Sequence, residues 1–593
     1  MSETHFAVES DQAQLLLNKA VEFLQAHPLE SSIALAVASL GGYAFRHLIG
    51  PSYYPNIDGP SNNNTMFGHL FDVHSAQGIT FHNELQDKYG PVSKIYGMLG
   101  REDLFVSDPR FIHEVLVKGV DVTFRHPQFF YDFSAISFGP GLLATTGKIA
   151  AIASFEPTKC LYSDNVHKAQ RKMLNPVFTS KHMRSLVPIF ESIAQDMKRS
   201  MIKDIGGVPG KEIDMLKWCS ATALELIGQA GLGHTFGVLE GTDSAYSRAV
   251  KDFLPALSNV VPLKAFFPIL HNLRPTTLQR KLADWAPISS VRKLKQIIDV
   301  QDEQAQSILE QKKEKLKHNQ VDKGEDSHDI MSVLLKANME ADKKDRLPED
   351  QLLGQMNTLI FAGHETTSGA LSRILQLLAM NPAIQDRLRD ELLEAPAQLT
   401  YDDLHSLPYM DALCRETLRL YPPAAMIERE AMVDCTVPLR YPIKGKNGEE
   451  IREIRVRKGT NIYVSIKEAN RSKETWGEDA DVFRPERWLE KLPDSVSDAK
   501  TSGVYSSMMT FSAGPRACIG FKFSLLELKT VLSTLVKSFK FEPGNTRTVW
   551  LMSGTMVPYV EGTKGLLEDG KSPTMPLKIL IFSKQNIESR SWT

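Results

Sequence analysis

One cysteine near the C-terminal end lies in a loop-forming segment that suits metal binding. Residues 511–520 read FSAGPRACIG, so that Cys518 follows Gly514 by four residues and Arg516 by two, and precedes Gly520 by two. Glycines let the backbone approach a flat group closely, an arginine can pair with a carboxylate, and a thiolate without a disulfide partner can bind iron. Haem meets all three requirements, whereas a cysteine without this spacing is more simply a small buried hydrophobic residue.

A second polar motif lies within a long helix that the pattern predicts from Pro348 to about Met380. Acidic residues in the first turn and a following Asn-Pro match the start and stop signals of helices, and the apolar middle predicts a central position. Residues 362–367 read AGHETT. Glu365 beside Thr366 offers the carboxyl and hydroxyl that a proton relay into an apolar cavity needs. The structural alternative is a helix bend in which Thr366 bonds to its own backbone.

A third group combines an acid with two arginines. Glu416 and Arg419 are three residues apart, which on most helices gives a weak surface ion pair. Here the helix is followed by residues 483–488, FRPERW, which place Arg487 on a proline-anchored loop. These side chains could therefore close a buried Glu-Arg-Arg cluster.

Composition excludes several classes of protein. The chain has 593 residues, of which 42% are hydrophobic and 24% charged, so disorder is not its dominant state. With 69 basic and 71 acidic residues, no global charge favours nucleic acid. The five cysteines include no C-x-x-C pair, which argues against a disulfide framework or a zinc site and for a reducing compartment. The length suggests about two to four domains or one unusually large one.

The N-terminal region contains a candidate membrane anchor at residues 31–50, after a leader at 1–30 and before a proline-rich linker at 51–60. The apolar run is short and reaches the roughly 20 residues of a spanning helix only if Arg46 snorkels to the interface. An amphipathic or core helix is the alternative. Acidic residues before the run argue against a cleavable signal peptide.

The remaining pattern predicts a mainly α fold with small β-sheets. Helical periodicity dominates up to about residue 430, and the charged stretch from Gln311 to His328 favours a solvated loop or a frayed helix end. Short β-branched and aromatic runs predict strands at 92–96, 104–106, 453–456, 461–465 and 556–560.

Together, and in this order, these motifs resemble the cytochrome P-450 family of haem-thiolate monooxygenases, and the last third resembles microsomal-type fungal members. The resemblance covers a catalytic domain at 61–577, which leaves a tail at 578–593. It implies the mainly helical fold of that family with small β-sheets and an N-terminal membrane-anchor helix.

The resemblance also implies roles for single residues. Cys518 would be the axial ligand of the iron of haem b, with Phe511 against the sulfur and Arg516 on a propionate. Glu365 and Thr366 would be the catalytic residues that deliver protons. Further haem-binding positions are Gly514, Gly520, His167, Arg171 and Arg429. The structural triad would be Glu416, Arg419 and Arg487.

The implied substrate cavity is almost entirely apolar, which favours a lipophilic substrate. A fungal secondary metabolite such as a terpenoid comes first, and a xenobiotic or fatty acid second. The resemblance implies O2 as co-substrate, NADPH-cytochrome P-450 reductase and cytochrome b5 as partners, and the endoplasmic reticulum membrane as location. Lys168 and Lys172 are either a candidate patch for an acidic reductase domain or simply solvated lysines. The implied cavity residues are Phe129, Phe130, Phe133, Ile136, Phe361, Ala425, Met426, Ile427 and Leu551 to Gly554.

One segment departs from the family pattern. Residues 148–165 precede His167 without any recognisable motif. They are either a retained intron of a gene prediction or a lineage-specific loop. If they are translated and displace His167, a catalytically impaired haem-binding protein becomes an alternative function. A haem-thiolate isomerase or dehydratase, which rearranges a peroxide without a reductase, is another alternative, but such members commonly lack the acid-alcohol pair that Glu365 and Thr366 supply.

Overall fold

The computed structural model describes residues 41–42, 46–47, 50–145, 166–242, 244–258, 260, 281–319, 328–343, 345–563 and 572–582. The predicted anchor at 31–50 lies mostly outside the described residues, and the atypical segment 148–165 lies entirely outside them. No helix in the described ranges combines the length and the apolar character that crossing a bilayer needs.

Helices dominate the described chain, as the periodicity predicts. Most are short, and three exceed 25 residues. In chain order the helices are α1 Leu70–His74, α2 Gly78–Tyr89, α3 Pro109–His113, α4 Gln128–Phe138, α5 Val166–Leu174, α6 Ser180–Ile205, α7 Met215–Leu226, α8 Ala245–Ser258, α9 Ser289–Asn319, α10 Ile330–Glu340, α11 Glu349–Met380, α12 Pro382–Glu394, α13 Tyr401–Ser406, α14 Pro408–Leu420, α15 Ile466–Ala469, α16 Lys473–Trp476, α17 Asp494–Ala499 and α18 Phe521–Ser538.

The strands form small sheets at the edges of the helical body. The largest has the order β1-β2-β8-β5-β3 and is antiparallel except between β2 and β8. A three-stranded sheet has the order β11-β14-β4, and the pairs β6-β7, β9-β10 and β12-β13 are hairpin-like. The strands are β1 Val92–Tyr96, β2 Glu102–Val106, β3 Phe124–Arg125, β4 Lys211–Asp214, β5 Met426–Ala431, β6 Cys435–Lys444, β7 Glu450–Val456, β8 Asn461–Ser465, β9 Gly503–Tyr505, β10 Met508–Ala513, β11 Phe539–Pro543, β12 Thr548–Ser553, β13 Thr555–Val560 and β14 Pro576–Ile581.

Helix α11 runs through the centre of the body. It begins one residue after Pro348 and ends at Met380, which confirms the predicted bounds. Residues on several sides of its middle are buried, because α7, α9 and α18 all pack against it. The glycine of its polar motif does not break the helix, which is continuous through that motif.

The prediction of a solvated loop or helix end at Gln311 to His328 is wrong for one described residue. Helix α9 ends at Asn319, within this stretch, but Lys312 is buried rather than solvated. Its Nζ lies 2.8 Å from the Asp329 carboxylate and 2.7 Å from the Ser332 hydroxyl. A charge pattern alone does not reveal such a partner, since Asp329 stands 17 residues further along the chain.

Two glycines allow α11 to contact the loop after α4. A Cβ at Gly354 would lie 2.5 Å from the backbone nitrogen of Gly141, and a Cβ at Gly141 would lie 2.3 Å from the backbone oxygen of Gly354. Since both contacts are with backbone, neither can be relieved by a rotamer change.

We therefore expect Gly354→Ala to lower the free energy of unfolding by about 1–3 kcal/mol through overpacking, despite a helix-propensity gain of about 1 kcal/mol. Gly369→Ala on the same helix is the matched control, because its Cβ would come no closer than 3.3 Å to another atom. Thermal unfolding of both variants checks the prediction. Equal melting temperatures would contradict it.

Candidate functional site

The segment that presents Cys518 turns sharply between β10 and α18. Ser512 and Gly514 have left-handed φ values of +58° and +66°. A Cβ at Gly514 would lie 2.3 Å from the Leu116 carbonyl oxygen, so that only glycine fits there. The Cys518 amide donates a hydrogen bond to the Phe511 carbonyl at 2.9 Å and closes the loop. The loop shape is therefore determined by the backbone before any ligand is considered.

The Cys518 side chain is accessible although protein surrounds it. The residue is exposed, and burial among neighbouring groups raises the pKa of its thiol. A backbone hydrogen bond from Gly520 and the charge of Arg171 act in the opposite direction and lower that pKa. Cys518 is thus an accessible sulfur in a secluded place, as an axial metal ligand must be.

Other side chains support the loop from both sides. Arg171 on α5 donates to the carbonyl oxygens of Pro515 at 3.1 Å and Ala517 at 2.6 Å. Phe511 is almost buried, and its ring centroid lies 5.7 Å from that of Tyr505. In the structure, Arg171 is hydrogen-bonded to the loop backbone. The resemblance implies in addition a direct contact with haem.

A cluster of basic side chains lies beside the loop. Arg516 donates to the Asp121 carboxylate at 3.0 Å and to the Thr145 carbonyl at 2.8 Å. Arg429 is only 2% exposed, and its Nη1 lies 2.9 Å from Nδ1 of His126.

Burial keeps the cluster's imidazoles neutral. It lowers the pKa of His167 to about 3, with a further contribution from Arg516 and Arg171. It also lowers the pKa of His126 well below its ordinary value, an effect to which Arg429 adds. The pKa of Arg429 itself falls to about 10 for the same reason. Each of these shifts indicates that solvation and counter-charge are scarce in the cluster.

The basic cluster contains more positive charge than the surrounding chain neutralises. Asp121 pairs with Arg516, whereas Arg429 forms no ion pair with any described residue. A buried guanidinium without a counter-charge is costly unless a bound anion compensates it. The propionate carboxylates of haem would supply such charge. The residues present therefore fit haem.

Part of the polar motif of α11 is accessible in the middle of a largely buried helix. Ala362 is exposed, whereas Ile360 and His364, two residues before and two residues after it, are each 1% exposed. The Thr366 hydroxyl donates to the Ala362 carbonyl at 2.7 Å, which is the backbone bonding that the structural alternative describes. This bond leaves the oxygen lone pairs of Thr366 available as acceptors. The two interpretations of Thr366 are thus compatible.

His364 connects the motif to a neighbouring helix. Its Nε2 lies 2.7 Å from the Ser220 hydroxyl on α7, and its Nδ1 lies 3.3 Å from the Glu365 carboxylate. One residue beyond Thr366, the Thr367 hydroxyl lies 3.1 Å from that of Ser524 on α18. Because α18 begins directly after the Cys518 loop, this contact places the motif close to the loop.

Glu416, Arg419 and Arg487 meet in one buried cluster. Two parallel hydrogen bonds of 2.9 Å connect the Arg419 guanidinium to the Glu416 carboxylate, and both side chains are 0% exposed. Nε of Arg487 lies 3.4 Å from the same carboxylate, and its Nη1 lies 2.8 Å from Asp479. The indole nitrogen of Trp488 donates to Glu416 at 2.9 Å.

Asn470 joins this cluster to the ligand loop. Its carbonyl accepts a hydrogen bond from Arg419 at 3.0 Å, and its side chain bonds to the Met509 amide and the Thr510 hydroxyl on β10. Strand β10 leads directly into the Cys518 loop. The sequence alone assigned no role to this residue, nor to Asp121, His126 or His364. Of these, only His364 lies in one of the motifs, as the third residue of AGHETT.

The implied substrate residues lie in several parts of the fold. Met426 and Ile427 point to opposite sides of β5 and pack against hydrophobic clusters of the sheet. Phe129, Phe133 and Phe361 belong to an aromatic cluster with α8 and α9. The other members are placed as follows: Phe130 stacks on His126 at 4.2 Å, Ile136 is exposed, Ala425 is buried, and Leu551 to Gly554 form the tip of the β12-β13 hairpin.

Comparisons with known proteins agree with this geometry. The profile of the family "Cytochrome P-450" matches residues 58–560. Cytochrome P-450 monooxygenase 81 of Postia placenta is 40% identical over 95% of this chain and 99% of its own length. A ganoderic acid synthetase of Ganoderma lucidum is 36% identical over 93% of this chain and 99% of its own length. A cytochrome P-450 monooxygenase of Hericium erinaceus is 32% identical over 93% of this chain and 98% of its own length.

The buried Glu416 cluster generates a stability prediction. Glu416→Ala leaves Arg419 and Arg487 without their shared carboxylate, which we expect to cost about 3–5 kcal/mol of stability and to reduce the haem content of the purified protein. Asp402→Ala is the matched control, because it breaks an exposed ion pair with Arg184. Thermal unfolding and the ratio of haem to protein check both variants. If Glu416→Ala behaves like Asp402→Ala, the cluster does not stabilise the fold.

Proposed function

The chain belongs to the cytochrome P-450 family of monooxygenases, and on that premise we propose that it inserts one atom of O2 into a lipophilic small molecule, with electrons from an NADPH-dependent reductase. The observation that carries the proposal is the secluded, accessible sulfur of Cys518 beside a basic cluster with surplus positive charge. A thiolate ligand favours O–O bond cleavage at iron.

Cys518 would hold the iron, and Arg516, Arg429 and His167 would hold the propionates. When bound, haem supplies the redox chemistry by which dioxygen is reduced and one of its atoms is transferred. Burial raises the pKa of the Cys518 thiol, and the Gly520 amide and Arg171 offset part of that effect, while a bound metal would remove the proton outright. Gly514 and Phe511 fix the loop around the sulfur.

Glu365 and Thr366 would deliver protons to the oxygen side of the cavity. The Thr366 hydroxyl is oriented by its bond to the Ala362 carbonyl, which uses its one proton and leaves its oxygen free to accept a hydrogen bond. To donate towards the cavity, it would rotate away from that carbonyl. Glu365 stands beside it as the acidic group. His364, held by Ser220, contacts Glu365 and would fix the position of the carboxylate. Retention of this acid-alcohol pair argues against the isomerase or dehydratase alternative.

A terpenoid is the substrate class that we propose. The aromatic cluster around Phe133, Phe253 and Phe361 would offer an apolar wall to such a substrate. The relative from Ganoderma lucidum carries the name of ganoderic acid synthetase, which supports a terpenoid substrate for this chain as well.

Partners and location follow from the same premise. We propose that the reductase, and cytochrome b5 as a second donor, dock near α5, where Lys168 and Lys172 are exposed on the side opposite buried His167 and Gln170. The endoplasmic reticulum membrane would hold the chain through residues 31–50.

The role of Cys518 predicts a spectroscopic loss. Cys518→Ser should abolish the red-shifted Soret band that thiolate-ligated haem gives after reduction under carbon monoxide, because a serine hydroxyl does not replace a thiolate. Cys435→Ser is the matched control, since Cys435 lies on strand β6 in a different sheet. Difference spectra of the purified full-length variants check the prediction. An unchanged band in Cys518→Ser would sink the assignment.

The role of Thr366 predicts uncoupling. Thr366→Ala removes the hydroxyl, so that the yield of oxygenated product per NADPH should fall by about tenfold or more, with hydrogen peroxide released instead. Thr366→Ser keeps the hydroxyl and serves as the control. The assay combines the chain, a reductase and a terpenoid that shifts the Soret band on binding. Full coupling in Thr366→Ala would exclude a part for this hydroxyl in proton delivery.

A further inference from the structure

One cavity lies beside the C-terminal half of α11, and the Cys518 loop is not part of its lining. It has a volume of about 240 Å³, far more than the roughly 10–15 Å³ that one water needs. Helices α2 and α11, the end of α14 and the β12-β13 hairpin enclose it. Its apolar walls include Ile79, Leu420, Pro422, Pro423 and Met556, and its polar residues are Asn83, Arg373, Lys467 and Arg471.

Arg373 is the unusual member of this lining. Its guanidinium is stacked between two aromatic rings, 3.9 Å from the centroid of Trp550 and 4.4 Å from that of Tyr421. It donates one hydrogen bond, from Nη1 to the Gln376 side chain at 3.1 Å. Its Nε has no partner among the described residues, and no described carboxylate pairs with it.

The cavity's other cations do not change this balance. Lys467 pairs with Glu468 at 2.6 Å, and Arg471 pairs with Asp481 at 2.5 Å, so each has one counter-charge outside the lining. Nε of Arg471, like that of Arg373, has no hydrogen-bond partner in the described part of the chain. The lining itself contains no acidic residue. One positive charge, that of Arg373, therefore remains uncompensated.

Water is neutral and therefore does not compensate the positive charge of Arg373. Burial lowers the pKa of Arg373 to about 9, which indicates how poorly the cation is solvated where it stands. Arg419 shows in the same chain how such a guanidinium is satisfied, since its Nε and Nη2 bind both oxygens of a carboxylate. In Arg373 the corresponding edge, formed by Nε and Nη2, has no carboxylate partner among the described residues.

We propose that this cavity is a binding site for a carboxylate with an apolar body, whose charged end pairs with Arg373 and whose body lies against the apolar wall. A charge-assisted, bidentate contact with arginine is the strongest interaction available to such a group. The stacking on Trp550 and Tyr421 fixes the guanidinium in advance and reduces the entropy that binding costs. The site goes beyond the proposed oxygenation, because it does not involve the cavity of Cys518.

Octanoate is a suitable probe, and methyl octanoate is its uncharged counterpart. Isothermal titration calorimetry on the full-length holoenzyme should show saturable binding of octanoate, little binding of the ester, and no Soret shift, since the iron is not involved. Arg373→Gln should raise the dissociation constant by about tenfold or more, the usual worth of a hydrogen bond to a charged group. Arg387→Gln, which changes an exposed arginine stacked on Tyr409, should leave it unchanged.

A second variant guards against a folding defect in Arg373→Gln. Ile79→Phe fills the cavity without touching a charge and should also weaken octanoate. Three results would each overturn the proposal: no octanoate binding to the wild-type holoenzyme, equal binding to Arg373→Gln and the wild type, or binding that always shifts the Soret band and so occurs in the substrate cavity.

Discussion

The sulfur of Cys518 must be held in an interior space, away from bulk water, and this requirement determines much of the surrounding structure. Burial disfavours the thiolate, and the Gly520 amide of the loop and the Arg171 cation of α5 offset part of that cost. The loop can do so only in one backbone shape, which Gly514 permits and the bond from Cys518 to Phe511 closes.

The hydrogen bonds that hold the Cys518 loop in place involve residues well outside the loop. Asn470 binds β10 with its side chain and Arg419 with its carbonyl, so that the Glu416 cluster and the ligand loop share one hydrogen-bonded connection. A buried ion pair is weak evidence for stability in itself. Here the ion pair matters because it helps to fix the position of β10, the strand that leads into the Cys518 loop. Disturbing the cluster should therefore affect the cofactor as well as the fold.

Charge is distributed unevenly across the molecule. The net charge is only -2, yet Arg429 and Arg373 are both cations without an acidic partner among the described residues. Arg373 lines a cavity that a ligand can fill. For Arg429 the propionates of haem account for the surplus. No group of the oxygenation reaction accounts for the charge of Arg373, and for this reason a separate carboxylate site is proposed there.

Much of this arrangement could be predicted from local sequence. The bounds of α11 follow from its end signals, and the motif around Cys518 indicated its ligand because spacing within ten residues is readable directly. Partners distant in sequence were not predictable: Asp121 meets Arg516 across 395 positions, and Lys312 finds Asp329 only in three dimensions. The bonds of Arg171 to the carbonyl oxygens of Pro515 and Ala517 also join residues far apart in sequence.

The central claim is that Cys518 binds iron through its sulfur, and the iron–sulfur vibration of the ferric holoenzyme tests it most directly. Resonance Raman spectra would be recorded on protein grown with ordinary cysteine and on protein grown with cysteine carrying a heavy sulfur isotope. The account predicts an iron–sulfur stretching band that moves to lower frequency with the heavy isotope. A haem-loaded protein without an isotope-sensitive band would show that another group is the axial ligand.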